Sequence, residues 1–153
     1  MIKDRQKGFT LIELMVVLII IGIASAAVSL SIKPDPAQSL RKDANRLIQL
    51  LQIAQAEALA DGRPITWLAD KHGFRFSRRN EQGIGFDHFI ADPQLHPRTW
   101  ETPSLNVRVT PKRPVVLYAE WFDSPLQLLL SDGQNKLIVQ RTATGKLHLA
   151  NQP

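Results

Sequence analysis

The chain has 153 residues, with 19 Lys and Arg against 14 Asp and Glu and no cysteine, a length that fits one ordinary domain plus an appendage. Without cysteine, thiol nucleophiles, CxxC redox chemistry and cysteine zinc sites are excluded, and a secreted domain of about 120 residues can still close a core without disulfides. Lys3, Arg5 and Lys7 against Asp4 contribute +2 of the net charge of +5, so the rest of the chain carries only +3, too small a surplus to point to nucleic acid.

The hydrophobic fraction of 44% suits a soluble protein, as does the mean hydropathy of −0.12, but both averages hide a division. From Leu14 to Ile32 there is no charged residue. Those nineteen residues make about 29 Å of helix at ~1.5 Å per residue, the thickness of a hydrocarbon core. Lys3, Arg5 and Lys7 flank the N-terminal side, so the positive-inside rule keeps that end in the cytoplasm and the remainder is exported. An ordinary secretory signal is the competing reading, with Ala24-Ser25-Ala26-Ala27 as its small-residue cleavage site. It leaves Glu13 unexplained. A carboxylate in a membrane helix costs up to about 2.5–3.5 kcal/mol at the centre and less near the interface, so an acid with no nearby cation implies a partner from elsewhere.

The run Gly8-Phe9-Thr10-Leu11-Ile12-Glu13-Leu14, behind a basic leader and ahead of an apolar helix, resembles the class III signal of type IV pilins and pseudopilins. The resemblance implies a membrane peptidase that cuts between Gly8 and Phe9 on the cytoplasmic side and then methylates the new N-terminus at Phe9. Cleavage before the apolar stretch leaves the helix on the mature protein, first as anchor and later as filament core. Glu13 resembles the family's acid that pairs with the N-terminal ammonium of a neighbouring subunit. Two charges expensive in lipid become tolerable once paired, and a misregistered subunit would leave both unpaired. The expected organisation is a leader over residues 1–8, a membrane and filament-core helix over 9–32, and a periplasmic domain over 33–153.

Lys33-Pro34-Asp35-Pro36 predicts a break or kink, with Asp35 as N-cap, Pro36 at the first helical position and Gln38 at capping-box spacing. Leu40, Ala44, Leu47, Ile48, Leu51, Ala54 and Ala58 recur at three and four on one stripe, while Arg41, Lys42, Asp43, Arg46 and Gln49 take other faces. The stripe packs on the protein's own sheet, and Asp61-Gly62-Arg63-Pro64 ends the helix. The period then changes. Ile65–Leu68 and Gly73–Phe76 flank an Asp70-Lys71-His72 turn as a hairpin. Further strands are expected at Leu105–Val109, Val115–Tyr118, Leu126–Leu130, Lys136–Arg141 and Lys146–Leu149, with turns at Ser131–Gln134 and Thr142–Gly145. Arg78 to Pro103 reads as a long polar irregular loop with one short strand near Phe86–Ile90. The expected class is α+β, a long N-terminal helix packed on antiparallel sheet.

More narrowly, Ala54-Gln55-Ala56-Glu57-Ala58, Gly62-Arg63-Pro64-Ile65, Gly73-Phe74-Arg75-Phe76 and the Ser131-Asp132-Gly133 ending resemble the H-type minor pseudopilins of type II secretion, the GspH/FimT family. That resemblance implies a non-enzymatic filament subunit near the tip of a periplasmic pseudopilus that helps to export folded proteins. Its implied partners are the other minor pseudopilins, the major pseudopilin, the prepilin peptidase, the inner-membrane assembly platform and exported proteins. Major pilins of the family usually carry a C-terminal disulfide loop, which a chain without cysteine lacks, and the calcium site of major pseudopilins is not found here.

No cofactor is expected. His72, His88, His96 and His148 make no HxxxH or HExxH spacing, and Asp87, His88 and Asp92 read as loop residues before they read as metal ligands. Asp132-Gly133-Gln134-Asn135 lacks the spaced acids and closing Glu of a calcium loop. There is no GxSxG, Walker A or GxGxxG run. Arg75, Arg78 and Arg79 beside Phe74 and Phe76 are the basic–aromatic cluster to weigh for nucleic acid, with Lys112-Arg113 a shorter second. A FimT-like minor pilin that takes up DNA is thus the alternative function. The competing reading is a solvated edge strand whose arginines discourage aggregation.

Overall fold

A computed structural model of the chain describes residues 9–31, 35–118 and 125–150, with the side chains of the first helix described as far as Ala26. The chain divides into two compact units, Met1–Pro34 and Asp35–Pro153. The basic leader with Gly8, the end of the apolar stretch at Ile32 and the Lys33-Pro34 part of the expected break lie outside the described residues.

The first unit holds α1 (Leu11–Ser31). Its large apolar side chains are exposed all round, from 47% at Val17 to 78% at Leu11. A helix apolar on every face belongs in an apolar surrounding. Among the described residues no helix is long and apolar enough to cross a membrane.

The second unit opens with α2 (Pro36–Asp61). Asp35 sits in extended backbone before it, and its carboxylate accepts from the Ala37 N–H at 3.0 Å. That is an N-cap through the second helical residue instead of the Gln38 N–H that a capping box would use. Pro36 tolerates the first position because its missing donor is not needed there. Gly62 ends the helix at φ 69°, a left-handed conformation that costs glycine little. The buried stripe is the expected one, extended by Leu50 and, against expectation, by Asp43, with Ile48 only half-buried.

Among the described residues nine strands follow: β1 (Ile65–Ala69), β2 (Gly73–Arg79), β3 (Phe86–Asp87), β4 (Arg98–Thr99), β5 (Asn106–Thr110), β6 (Val115–Leu117), β7 (Gln127–Ser131), β8 (Lys136–Arg141) and β9 (Leu147–Ala150). They form two antiparallel sheets. One runs β3-β2-β1-β6, with β4 also on β2, and the other runs β5-β7-β8-β9. β1 and β2 close the expected hairpin in the register Ile65↔Arg78 to Ala69↔Phe74. Asp70 accepts from the N–H groups of His72 (2.7 Å) and Gly73 (3.0 Å) in its turn. α2 lies against strands of both sheets, so its Leu/Ala stripe, Trp67, Phe74, Phe76, Leu117, Leu128, Leu130 and Val139 share one core. The α+β architecture is the expected one, with the packed helix being α2.

The stretch after β2 departs from the expected polar loop. β3 falls where a short strand was expected, but β4 was not, and Phe89, Leu95 and Trp100 are buried. Trp100 packs against Phe74 with ring centroids 4.6 Å apart and the rings tilted by 39°, its indole N–H donates to the Asp70 carbonyl (2.8 Å), and its backbone N–H donates to the His72 carbonyl (3.0 Å). Isolated aromatics among polar residues leave no period to read, although each buries a large area. Gly73 has a reason to be glycine: a Cβ there would collide with the carbonyl of Arg98, which pairs across from Phe74.

Candidate functional site

Two regions carry the residues singled out in the sequence. At the N-terminus, Phe9 is 82% exposed and Thr10 immediately precedes α1. The Thr10 hydroxyl oxygen accepts a long 3.4 Å bond from the Glu13 N–H, and the Thr10 carbonyl accepts from the Leu14 N–H at 3.2 Å. Glu13 therefore falls at the third helical position, where the helix dipole favours an acid. Its side chain is exposed and available to a cation from another chain. The Thr10-x-x-Glu13 spacing is a capping signal that was legible in the sequence and had been absorbed into the signal motif.

The second region is β2, and it overturns the simple basic–aromatic reading. Phe74 and Phe76 are 4% and 1% exposed and pack in the core, with no face open to a base. β2 is not an edge strand, since β1 flanks it on one side and β3 and β4 on the other. Alternation sends Arg78 to the same side as the two phenylalanines. There its Nη1 lies 2.7 Å from Asp61 and 3.2 Å from Glu57 of α2, and its Nε lies 3.5 Å from Asp87 of β3 without a hydrogen bond. The guanidinium also sits 4.8 Å from the Phe89 ring centroid. Arg63 holds the same Asp61 oxygen at 2.6 Å. Arg78 is thus a neutralised internal tie, while Arg75 and Arg79 stay exposed on the opposite face.

The remaining polar residues serve the fold. Asp87 accepts from the Phe89 N–H (2.9 Å), Asp92 from the N–H groups of Gln94 (2.8 Å) and Leu95 (2.7 Å), and the His96 ring contacts the Asp92 carbonyl (3.0 Å). Asp132 accepts from the Asn135 side chain (2.9 Å) and from the N–H groups of Asn135 (2.6 Å) and Gln134 (2.8 Å), bonds that hold its carboxyl below the usual range. The Asp70 carboxyl is held low in the same way by the His72 and Gly73 N–H groups. Burial and the neighbouring Arg113 bring Arg141 down to about 10, beside a cavity of about 150 Å³ that carries no carboxylate or imidazole among the described residues. Among those residues no group of three or more His, Asp and Glu gathers as a metal site.

Residues 3–29 match the prokaryotic N-terminal methylation motif. Over 99 residues the chain is 36% identical to the type II secretion system protein H of Aeromonas hydrophila, a match that takes in 61% of this chain and 54% of that relative. The chain thus spans about half the length of the curated relative. The fold is similar to that of the minor pseudopilin EpsH from the type 2 secretion system of Vibrio cholerae, with a TM-score of 0.57 and 17% identity over 76% of this chain and 97% of that one. The head of the chain is thus similar to methylated prepilin N-termini, and the domain behind it has a fold similar to that of a minor pseudopilin. Among the proteins compared, the sequence likeness is to a type II secretion system protein H and the fold likeness to a minor pseudopilin.

Proposed function

We propose that this chain is a minor pseudopilin, a structural subunit of the periplasmic pseudopilus of a type II secretion system, with no catalytic role of its own. The observation that carries the reading is the union, on one chain, of a prepilin methylation motif and an H-type pseudopilin fold. Residues 1–8 are the leader, removed between Gly8 and Phe9, and Phe9 becomes the N-methylated terminus. Residues 9–32 anchor the subunit in the inner membrane and then join the filament core, and 33–153 form the periplasmic domain. The all-round exposure of the α1 side chains supports this, because lipid or neighbouring helices must cover them. Glu13 receives the terminal ammonium of an adjacent subunit, and the partners are the other pseudopilins, the prepilin peptidase and the assembly platform, with exported proteins as further contacts. DNA uptake is disfavoured by the burial of Phe74 and Phe76 and the pairing of Arg78.

The test is deletion of the chain in its own host, with complementation by the parent and by Glu13→Ala. Deletion should abolish export of type II substrates, and mass spectrometry of the complemented parent should find a chain that begins at N-methylated Phe9. Glu13→Ala should be cleaved and methylated yet fail to restore export. Normal export in the deletion strain would refute the function, and normal export with Glu13→Ala would refute the ion-pair role.

A further inference from the structure

The β2–β3 hairpin carries a surface that its own fold does not use. Ile84 is 84% exposed, Phe86 59% and Ile90 79%, three apolar side chains open to solvent within seven residues of the hairpin and the turn after it. Ile84 is held rigidly. The Asn80 side chain donates from Nδ2 to the Ile84 carbonyl and accepts at Oδ1 from the Ile84 N–H, both at 2.9 Å. The Asn80 N–H donates to the Gly85 carbonyl (3.1 Å), and the Gly83 N–H donates to the Asn80 carbonyl (3.0 Å). Gly83 and Gly85, at φ 72° and 118°, supply the left-handed backbone that the turn needs. A turn fixed by four hydrogen bonds thus displays an isoleucine to solvent, with its ordering entropy already lost before any partner arrives.

Charge says what the partner must be. Arg79 pairs across from Phe86, with its guanidinium carbon 5.9 Å from that ring's centroid, and His88 stacks on the ring at 6.4 Å. Arg75 is exposed on the same face of β2. The carboxylates of the hairpin look elsewhere: Glu81 lies 3.8 Å from Arg63, and Asp87 faces Arg78. The surface around Phe86 is therefore apolar and cationic. A second copy meeting it symmetrically would set Arg79 against Arg79, and phosphate groups alone would pair with Arg79 but leave Ile84 and Ile90 uncovered. We propose that Ile84, Phe86 and Arg79 form a docking patch for the periplasmic domain of a different pilin-like subunit, one that offers an apolar recess edged by carboxylates. Arginine beside an aromatic ring is a common feature of interface hot spots, and clustered exposed apolar side chains mark interaction surfaces. The proposal rests on the pseudopilin reading and adds to it the surface of contact and the chemistry of the neighbour.

The experiment replaces Ile84 in the full chain by a photoreactive phenylalanine, in cells that contain the secretion system, and identifies the adduct by mass spectrometry. The expected result is an adduct with another pilin-like subunit. Arg79→Glu should reduce its yield about tenfold, and changing the nearest partner carboxylate to lysine should restore it. Ile84→Asp and Arg79→Glu should melt like the parent, since both side chains are exposed, and both should impair export. An adduct only with a second copy, with lipid or with DNA overturns the proposal, as does no adduct or one indifferent to the charge at position 79. If deletion of the chain blocks export while both variants export normally, the docking patch fails and the pseudopilin reading stands. If deletion leaves export intact, both fail.

Discussion

Asp43 occupies a position on α2 where its neighbours in sequence, Arg41, Lys42 and Arg46, suggest a solvated face. It is instead 1% exposed, and its two oxygens accept from the N–H groups of Glu101 (3.0 Å) and Thr102 (2.8 Å). Arg46 pairs with Glu101 alongside. The carboxylate thus satisfies two backbone donors of a segment that would otherwise cover the helix with unpaired amides. Asp43→Ala should lower the unfolding free energy of the detergent-solubilised chain by about 2–4 kcal/mol, the cost of stranding two buried donors bonded to a charged group. Asp43→Asn, which keeps a carbonyl acceptor, should recover part of the loss, and urea denaturation of the three proteins measures both. Asp132 and Asp70 do comparable work within their own turns, and their role was legible because their partners lie two or three residues away. Those of Asp43 lie 58 and 59 residues away, and no local pattern announces them.

At the level of elements, the C-terminus of α2 needs compensation. Glu57 and Asp61 are acids in a region where the helix dipole favours cations, and the last turn holds no basic residue of its own. Arg78 and Arg63 supply the missing charge from β2 and from the turn after the helix, and Arg78 reaches on to Asp87 of β3. One side chain thereby joins a helix end to two strands. Its partners are partly open to solvent, so screening keeps each pair small. Arg78→Ala should cost about 1–3 kcal/mol, more than one surface pair would, because several carboxylates lose their cation together. Arg78→Lys should recover only part of that, since an ammonium cannot fork between Glu57, Asp61 and Asp87. Thermal melting of the two variants tests the order. The sequence presented Arg75, Arg78 and Arg79 as one cluster. Strand alternation, together with the pairing of β2 on both sides, splits them between two faces.

For the whole molecule, the chain divides into an apolar helical unit and an α+β unit, and the proposed function gives anchoring to the first and recognition to the second. The modest charge of the chain outside residues 1–8, with Arg78 paired and Phe74 and Phe76 in the core, leaves Phe86 beside Arg79 as the exposed aromatic against the cationic face of β2, less than the run of stacking rings that single-stranded nucleic acid uses. The detergent-solubilised chain should therefore bind DNA no more tightly than the non-specific range of about 10⁻⁶ M or weaker at ~0.15 M salt. An electrophoretic shift at nanomolar protein, abolished by Arg75→Ala and Arg79→Ala together, would contradict this.

The sequence by itself determined the Gly8–Glu13 motif, the uncharged run from Leu14, the limits of α2 through Asp35 and Gly62, and most strand positions. These depend on local chemistry: a cap, a left-handed glycine, a period of two or 3.6, the absence of charge. Only the tertiary structure decided which polar residues are buried, that the stretch after β2 contributes Phe89, Leu95 and Trp100 to the core, that β2 is flanked on both sides, and that Ile84 and Phe86 face outward with Arg79. Those outcomes depend on partners far along the chain, and a residue's spacing from its immediate neighbours carries no information about them.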